Sequence, residues 1–322
     1  MPDWAARFRA GERHALSRVL SLAERGDAAF PALFDTLVAD TGAARRIGIT
    51  GPPGAGKSSL VAALLGEWRG ADRRVGVVAV DPTSPFTGGA LLGDRVRMGA
   101  HTLDPGVFIR SMATRGSLGG LARLSVEFAD LMSAFGFDLV VTETVGVGQI
   151  EHDVIDSSEL VVVLLHPGAG DSVQALKAGL LELADIFVLN KADQPGIERL
   201  EADVREMLEL RSLRHGEAIP IVRTVAPKGE GVTTLAATLD ACAERLGASG
   251  ELARRAERRR CAQLRRLVTE RLEERLFVGD QARTFLDQLD DEAARRPYAC
   301  AEALLATLLG SVGTTGTQAK GI

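Results

Sequence analysis

Gly51-Pro52-Pro53-Gly54-Ala55-Gly56-Lys57-Ser58 sits between a short apolar run of β-formers, residues 46–50, and a helical run, residues 59–65. The octet has the spacing G-x-x-x-x-G-K-[ST], and a strand before it with a helix after it is the setting in which that spacing wraps a phosphate chain. Gly51, Gly54 and Gly56 let the backbone fold tightly enough to aim amide N–H groups, with the following helix N-terminus, at an anion. Lys57 is placed to reach the outer phosphates and the Ser58 hydroxyl to ligate Mg²⁺. Pro52, Pro53, Ala55 and Ser59 complete the stretch expected to line the nucleotide.

Outward from that loop, β-rich runs at 46–50, 75–80, 107–109, 139–142, 160–165, 186–190 and 219–224 alternate with helical stretches. Val75-Gly76-Val77-Val78-Ala79-Val80 is apolar throughout instead of alternating, as in strands covered by helices on both faces. The expected fold class is therefore α/β, a doubly wound, mostly parallel sheet with N- and C-terminal helical extensions. Residues 1–44 read as a helical extension, with Ala15, Leu16, Val19, Leu20 and Leu22 at helical spacing and a second run at 30–38. The P-loop domain is placed at 45–246. Residues 247–310, rich in Arg, Glu, Leu and Ala, read as long helices at 251–277 and 281–309, packed back on the sheet or serving as a dimerisation arm. The Gly/Thr-rich residues 311–322 are expected to be a disordered tail.

The chain has 322 residues, 46% hydrophobic, enough for one sizeable core with appendages. A net charge of −5 and a pI near 5.7 argue against nucleic-acid binding by phosphate neutralisation. The longest strongly apolar run, 160–165, falls far short of the about 20 residues that span a bilayer, so no membrane segment is expected. Cys242, Cys261 and Cys300 are odd in number and lack a Cys-x-x-Cys pair, which points to reduced, mostly buried thiols and no zinc site. Arg7, Arg9 and Arg13 are interrupted by Asp3 and Glu12 with no long apolar stretch behind them, leaving the cytoplasm as the expected compartment.

A phosphate loop alone does not choose a base. Asn190-Lys191-Ala192-Asp193 closes the run 186–190, where N-K-x-D stands in GTPases. A carboxylate at Asp193 can accept from both guanine N1–H and the exocyclic amine, a donor pair that adenine does not offer at that edge. Leaving that carboxylate unpaired with the wrong base costs several kcal/mol, on the order of a hundredfold or more in affinity. The nucleotide is thus GTP or GDP. Glu143-Thr144-Val145-Gly146 follows the run 139–142, in the place of a D-x-x-G switch, with Glu where Asp is commonest. A carboxylate there typically holds Mg²⁺ through water, and the Gly146 amide can sense the γ-phosphate. Asp81 and Asp94 are further Mg²⁺-side carboxylates, although an acid at a strand end is more often a cap or turn residue.

In order along the chain, these pieces resemble the MeaB/ArgK/MMAA family of cobalamin-mutase GTPase chaperones, within the SIMIBI class of P-loop proteins. The likeness spans about residues 12–310. It is carried by Asp81-Pro82-Thr83-Ser84-Pro85-Phe86-Thr87-Gly88-Gly89, Leu92-Gly93-Asp94-Arg95-Val96-Arg97-Met98, residues 113–120, Glu143-Thr144-Val145-Gly146-Val147-Gly148-Gln149 and Pro167-Gly168-Ala169-Gly170-Asp171, with the N-K-x-D motif completing the set. The resemblance implies GTP hydrolysis that gates delivery or protection of adenosylcobalamin in an acyl-CoA mutase, a homodimer, and an Mg²⁺ site formed by Ser58, Asp81, Asp94 and Glu143. It also implies an additional switch from Asp171 through Gln174 to Lys177, with Lys177 swinging toward the nucleotide when the mutase is bound. Taken alone, Lys177 is a helix-surface lysine. Val225-Ala226-Pro227 stands where a Ser-Ala type of base loop is common, so backbone contacts to the base could persist and a serine contact could not. The expected catalytic set is Lys57, Glu143 and Lys177. Without an evident Ras-type glutamine after the switch glycine, slow turnover is expected until a partner completes the site. A nickel-insertion GTPase and a kinase of a transport protein are the rival readings. The late cysteines and scattered histidines argue against the first, the guanine motif against the second.

Overall fold

A computed structural model describes residues 3–39, 44–81, 99–113, 118–144, 158–168, 183–215, 218–277 and 298–302. The chain forms two compact units, Met1–Arg259 and Arg260–Ile322. In the first unit the described strands are β1 Arg45–Thr50, β2 Val75–Asp81, β3 Val107–Ala113, β4 Leu139–Glu143, β5 Leu160–Leu165, β6 Ile186–Asn190 and β7 Ile221–Thr224. They form one sheet in the order β3-β2-β4-β1-β5-β6-β7, each pairing parallel. Strand order reverses at β1, which lies between β4 and β5, and ligands of such sheets bind at the carboxyl ends of the strands at that reversal.

The helices are α1 Trp4–Arg9, α2 Arg13–Glu24, α3 Phe30–Val38, α4 Lys57–Gly70, α5 Leu118–Ala134, α6 Ile197–His215, α7 Val232–Ala248 and α8 Glu251–Phe277. Side chains alternate across each strand, and in the central strands β4, β5 and β6 both sides are buried. On one face Ile47, Ile49, Leu160, Val162 and Leu164 pack with Leu60, Leu64 and Leu65 of α4 and Leu235 and Leu239 of α7. On the other, Val161, Val163 and Leu165 meet Ile197, Leu200 and Val204 of α6, while Val78, Val80 and Val140 lie under Phe128 and Met132 of α5. That two-sided burial is why the strands read as unbroken apolar runs.

The N-terminal helices belong to the same core. Phe8, Leu16, Val19, Leu20, Phe30 and Leu37 are buried in one cluster with Phe128 and Phe135, and the Phe8 and Phe135 rings meet edge to face at 5.1 Å. Arg13 donates to the carbonyls of Asp104, Pro105 and Val107, tying α2 to the start of β3. β3 runs four residues beyond the 107–109 stretch legible in sequence, because Arg110 reaches Ser21 and Glu24 of α2 and its polar head is thereby satisfied. β7 begins later than 219, since Pro220 has no N–H for the ladder and contributes its carbonyl to Phe187 N–H. α4 is longer than 59–65, beginning at Lys57 itself. The expectation of mostly buried cysteines is corrected: Cys242 is buried, Cys261 is exposed and Cys300 is intermediate.

Within the first unit, the start of α8 is held by charge. Arg255 donates through both terminal nitrogens to Asp185, at 2.7 and 2.9 Å, and to the Glu159 carbonyl at 2.7 Å. Asp185 also accepts from Val161 N–H, so a buried carboxylate just before β6 is fully engaged. Of the expected second C-terminal helix, 281–309, residues 298–302 are helical, and residues 278–297 and 303–322, with the expected tail, lie outside the described residues. In the second unit Leu264, Val268 and Leu272 of α8 are exposed at helical spacing.

If α1 to α3 are integral to the core, Leu16→Ala should destabilise the chain by about 2–5 kcal/mol, the range for a buried Leu and comparable to Leu64→Ala. Urea unfolding of both variants tests this, and a loss below about 0.5 kcal/mol for Leu16→Ala would mark the N-terminal helices as an appendage.

Candidate nucleotide site

The phosphate loop leaves the end of β1 under tight steric constraint. Gly51 has φ +141°, and a Cβ there would stand 2.1 Å from the Leu164 carbonyl oxygen of the neighbouring strand. Gly56 has φ +92°, and a Cβ there would meet the Asn190 amide nitrogen at 2.5 Å. Both positions combine a left-handed or near-forbidden backbone with contact to a neighbouring strand, so glycine is required. Gly56 caps α4, whose first turn carries the N–H groups that an α-helix leaves without internal acceptors. Lys57 is buried, and its ammonium donates to the Gly51 carbonyl at 2.8 Å and the Pro52 carbonyl at 3.2 Å. The loop is thus held closed on its own lysine.

Ser58 Oγ donates to Glu143 Oε1 at 2.7 Å, and both residues are buried. Glu143 is the last residue of β4, in register with Ile49 of β1, which brings its carboxylate to the start of α4. Next to it Thr144 Oγ1 donates to Thr50 Oγ1 at 3.1 Å and Thr144 N–H to the Ile49 carbonyl, pinning the exit from β4 against β1. A hydroxyl and a carboxylate meeting beside the phosphate loop are hard oxygen donors suited to Mg²⁺. That ion usually takes few protein ligands and completes its shell with water and phosphate oxygens. Among the described residues no group of three or more His, Cys, Asp or Glu gathers as a self-contained metal site. Asp81 closes β2, opposite Ala113. Asp94, Gly146 and the segment Asp171 to Lys177 lie outside the described residues.

Asn190 ties the site together. Its amide nitrogen donates to the Ala55 carbonyl at 2.8 Å, and its amide oxygen accepts from Thr224 Oγ1 at 3.0 Å and from Ala226 N–H at 3.2 Å. One side chain therefore joins the phosphate loop, the end of β6 and the loop after β7. Lys191 follows in the left-handed conformation, φ +58°, and turns the chain so that Asp193 lies beside that last loop. There Lys228 donates to Asp193 Oδ2 at 2.9 Å, both side chains being about half exposed. The P-loop, Ser58 with Glu143, and Asn190 with Asp193 and Ala226 thus stand together along the carboxyl edge of the sheet.

Three residues at this edge were not singled out from sequence. Thr224 and Lys228 flank Val225-Ala226-Pro227, and their role depends on β6–β7 register, which places Thr224 opposite Asn190. His166 directly follows β5, the strand between β1 and β6, so it stands between the phosphate loop and Asn190-Lys191. Partial burial, with Lys191 and Lys57 nearby, pushes its imidazole below the usual histidine range. The Lys228 ammonium lowers the Asp193 carboxylate.

A depressed histidine binds its proton more weakly folded than unfolded, so His166 opposes folding as pH falls from about 6.5 toward its folded value. The Tm of the ligand-free protein should therefore drop between pH 7.5 and 5.5, and drop less in His166→Gln. Equal losses in the two proteins, measured by differential scanning calorimetry, would remove His166 from that account.

Comparison with known proteins follows the same lines. Residues 16–281 match the family described as methylmalonyl Co-A mutase-associated GTPase MeaB. A Pyrococcus horikoshii protein that bears the name GTPase is 40% identical over 313 residues, covering 94% of this chain and 97% of that one. The mouse protein named methylmalonic aciduria type A homolog, mitochondrial, is 39% identical over 212 residues, covering 65% of this chain and 51% of its own length. The Escherichia coli GTPase ArgK is 40% identical over 191 residues, 58% of each chain. A solved structure described as LAO/AO transport system kinase superposes with a TM-score of 0.69 at 26% identity, covering 95% of this chain and 97% of that one. The phosphate loop, the parallel sheet and a family match across most of the chain lead to one conclusion: the protein belongs to the MeaB family of P-loop GTPases.

Proposed function

We propose that this GTPase is a chaperone that gates adenosylcobalamin loading and protection of an acyl-CoA mutase, methylmalonyl-CoA mutase or a relative. The observation that carries the reading is the family match over residues 16–281, whose description names association with that mutase, and the mouse relative supports it. Residues 45–246 are the GTPase domain behind a helical extension at 1–44. Residues 247–310 serve as a dimerisation arm ahead of a disordered tail at 311–322, and the working form is a cytoplasmic homodimer. Among the described residues no helix is long and apolar enough to cross a membrane.

In this reading the nucleotide lies along the loop from Gly51 to Ser59, with Gly146 on the γ-phosphate side. Its phosphates replace the Gly51 and Pro52 carbonyls as partners of Lys57. Ser58 and Glu143, with Asp81 and Asp94 around them, would hold Mg²⁺, which would supply charge neutralisation to the phosphates. Water attacks the γ-phosphorus in line as its bond to the bridging oxygen breaks and GDP leaves, Glu143 orienting the water and Lys57 countering the charge that develops on the phosphoryl oxygens. Asn190 and Lys191 shape the base pocket with Val225, Ala226 and Pro227, and Asp193 reads guanine. Lys177 completes the site only when the mutase is bound, so the free protein turns over slowly.

Three measurements test these assignments. GTP turnover should rise by about tenfold or more on adding the mutase, within the usual range of coupling between sites. The rise should vanish in Lys177→Ala, and no stimulation, or equal stimulation in that variant, would refute the gating role. Lys57→Ala should lose about a hundredfold or more in turnover, read as phosphate release. Asp193→Asn should shift preference toward xanthine nucleotide, whose C2 carbonyl accepts from the new amide, and unchanged GTP selectivity would remove Asp193 from the base site. The neighbour described as a transport-system kinase makes a phosphotransferase the second reading. Label from γ-labelled GTP appearing on protein instead of in free phosphate would favour it.

A further inference from the structure

Guanine presents an acceptor, O6, followed by two donors, N1–H and the amine. A pocket complementary to that edge must offer a donor followed by two acceptors. The Asp193 carboxylate supplies the acceptors, and the adjacent base loop, Val225 to Gly229, is where a donor for O6 would be sought. Its backbone is already committed. Val225 N–H donates to the Glu230 carbonyl, Ala226 N–H to Asn190 Oδ1, Lys228 N–H to the Val225 carbonyl and Gly229 N–H to the Ala226 carbonyl. Pro227 has no N–H. These bonds fold the loop into the short 3₁₀ turn Ala226–Lys228 and its closing bridge between Val225 and Glu230. The side chain that the loop does offer is Lys228, whose ammonium already stands 2.9 Å from Asp193 Oδ2 and remains 55% exposed. The other nearby ammonium, on Lys191, acts on His166 at the end of β5, on the phosphate side of Asn190.

We propose that Lys228 is a base-specificity residue whose ammonium donates to guanine O6 beside the Asp193 carboxylate, completing a donor–acceptor–acceptor edge. Before the base arrives, the same contact holds the carboxylate in place. An ammonium has three protons and can keep Asp193 Oδ2 while donating to O6. Against adenine it would face the 6-amino group, donor against donor, so Lys228 adds to discrimination that Asp193 begins. The inference rests on Asp193 reading guanine, and the two claims separate by experiment.

Equilibrium binding of GDP, 6-thio-GDP and IDP to the full chain with Mg²⁺ provides that test. The sulfur of 6-thio-GDP replaces O6 with a weak acceptor while leaving N1–H and the amine intact, and IDP keeps O6 but lacks the amine. The wild-type chain should prefer GDP over 6-thio-GDP by about tenfold, the scale of one charge-assisted hydrogen bond. Lys228→Met keeps the apolar stem and should bring that ratio near one while a preference for GDP over IDP persists, and Lys228→Arg should restore most of it. An unchanged GDP to 6-thio-GDP ratio in Lys228→Met would overturn the proposal. A GDP-to-IDP preference that persists in Asp193→Asn would sink the Asp193 assignment, and the Lys228 proposal with it.

Discussion

The Asn190 side chain is the constraint on which the nucleotide site depends. A primary amide has two donors and an acceptor oxygen with two lone pairs, and here one N–H and both lone pairs are spent on three separate segments: Ala55 of the phosphate loop, Thr224 of β7 and Ala226 of the base loop. These bonds are buried, where a missing partner costs the full desolvation of the group left behind. The phosphate and base halves therefore cannot shift independently. Gly56 sits against the same amide, so the left-handed cap of α4 and the base-side loops share one contact.

The sheet provides the frame for that contact. β1 lies between β4 and β5, and the three strands deliver Gly51, Glu143 and His166 to one edge. Because both faces of each strand are covered, the strand ends can move little without disturbing two packed layers. The contact of Ser58 with Glu143 and of Thr144 with Thr50 fixes the Glu143 carboxylate against the phosphate loop. At the opposite ends of β5 and β6, Arg255 bridges Asp185 and the Glu159 carbonyl, so α8 is anchored to the same two strands. A buried pair of this kind is costly to break from one side, which makes the root of α8 a rigid point.

Charge distribution along the edge follows from these placements. Partial burial first, then the charges of Lys191 and Lys57, hold the His166 imidazole below the usual histidine range. Lys228 lowers Asp193 in turn, holding it ionised on a surface where the carboxylate is half exposed. The end of the edge at the phosphate loop thus carries the Lys57 ammonium and the Glu143 carboxylate, and the other end pairs the Lys228 ammonium with the Asp193 carboxylate.

Much of this was legible in the sequence because it depends on local spacing. The phosphate loop needs glycines at fixed offsets after a strand, the two-sided sheet needs unbroken apolar runs, and Asn190 and Asp193 need only the end of one strand. Those features determined the α/β class and the nucleotide, and the loop signatures at 81–98, 113–120, 143–149 and 167–171 determined the family. Tertiary structure decided what depends on partners distant in the chain. The N-terminal helices join the core because Phe8 and Leu16 meet Phe135 and Phe128 more than a hundred residues away. β3 extends through Arg110 because Glu24 and Ser21 satisfy its head, and β7 starts late because Pro220 cannot donate. Thr224, His166 and Lys228 entered the site only through strand order and register. A motif records which groups the chemistry requires, whereas the neighbours that hold and charge those groups are chosen by packing, which no local window of sequence contains.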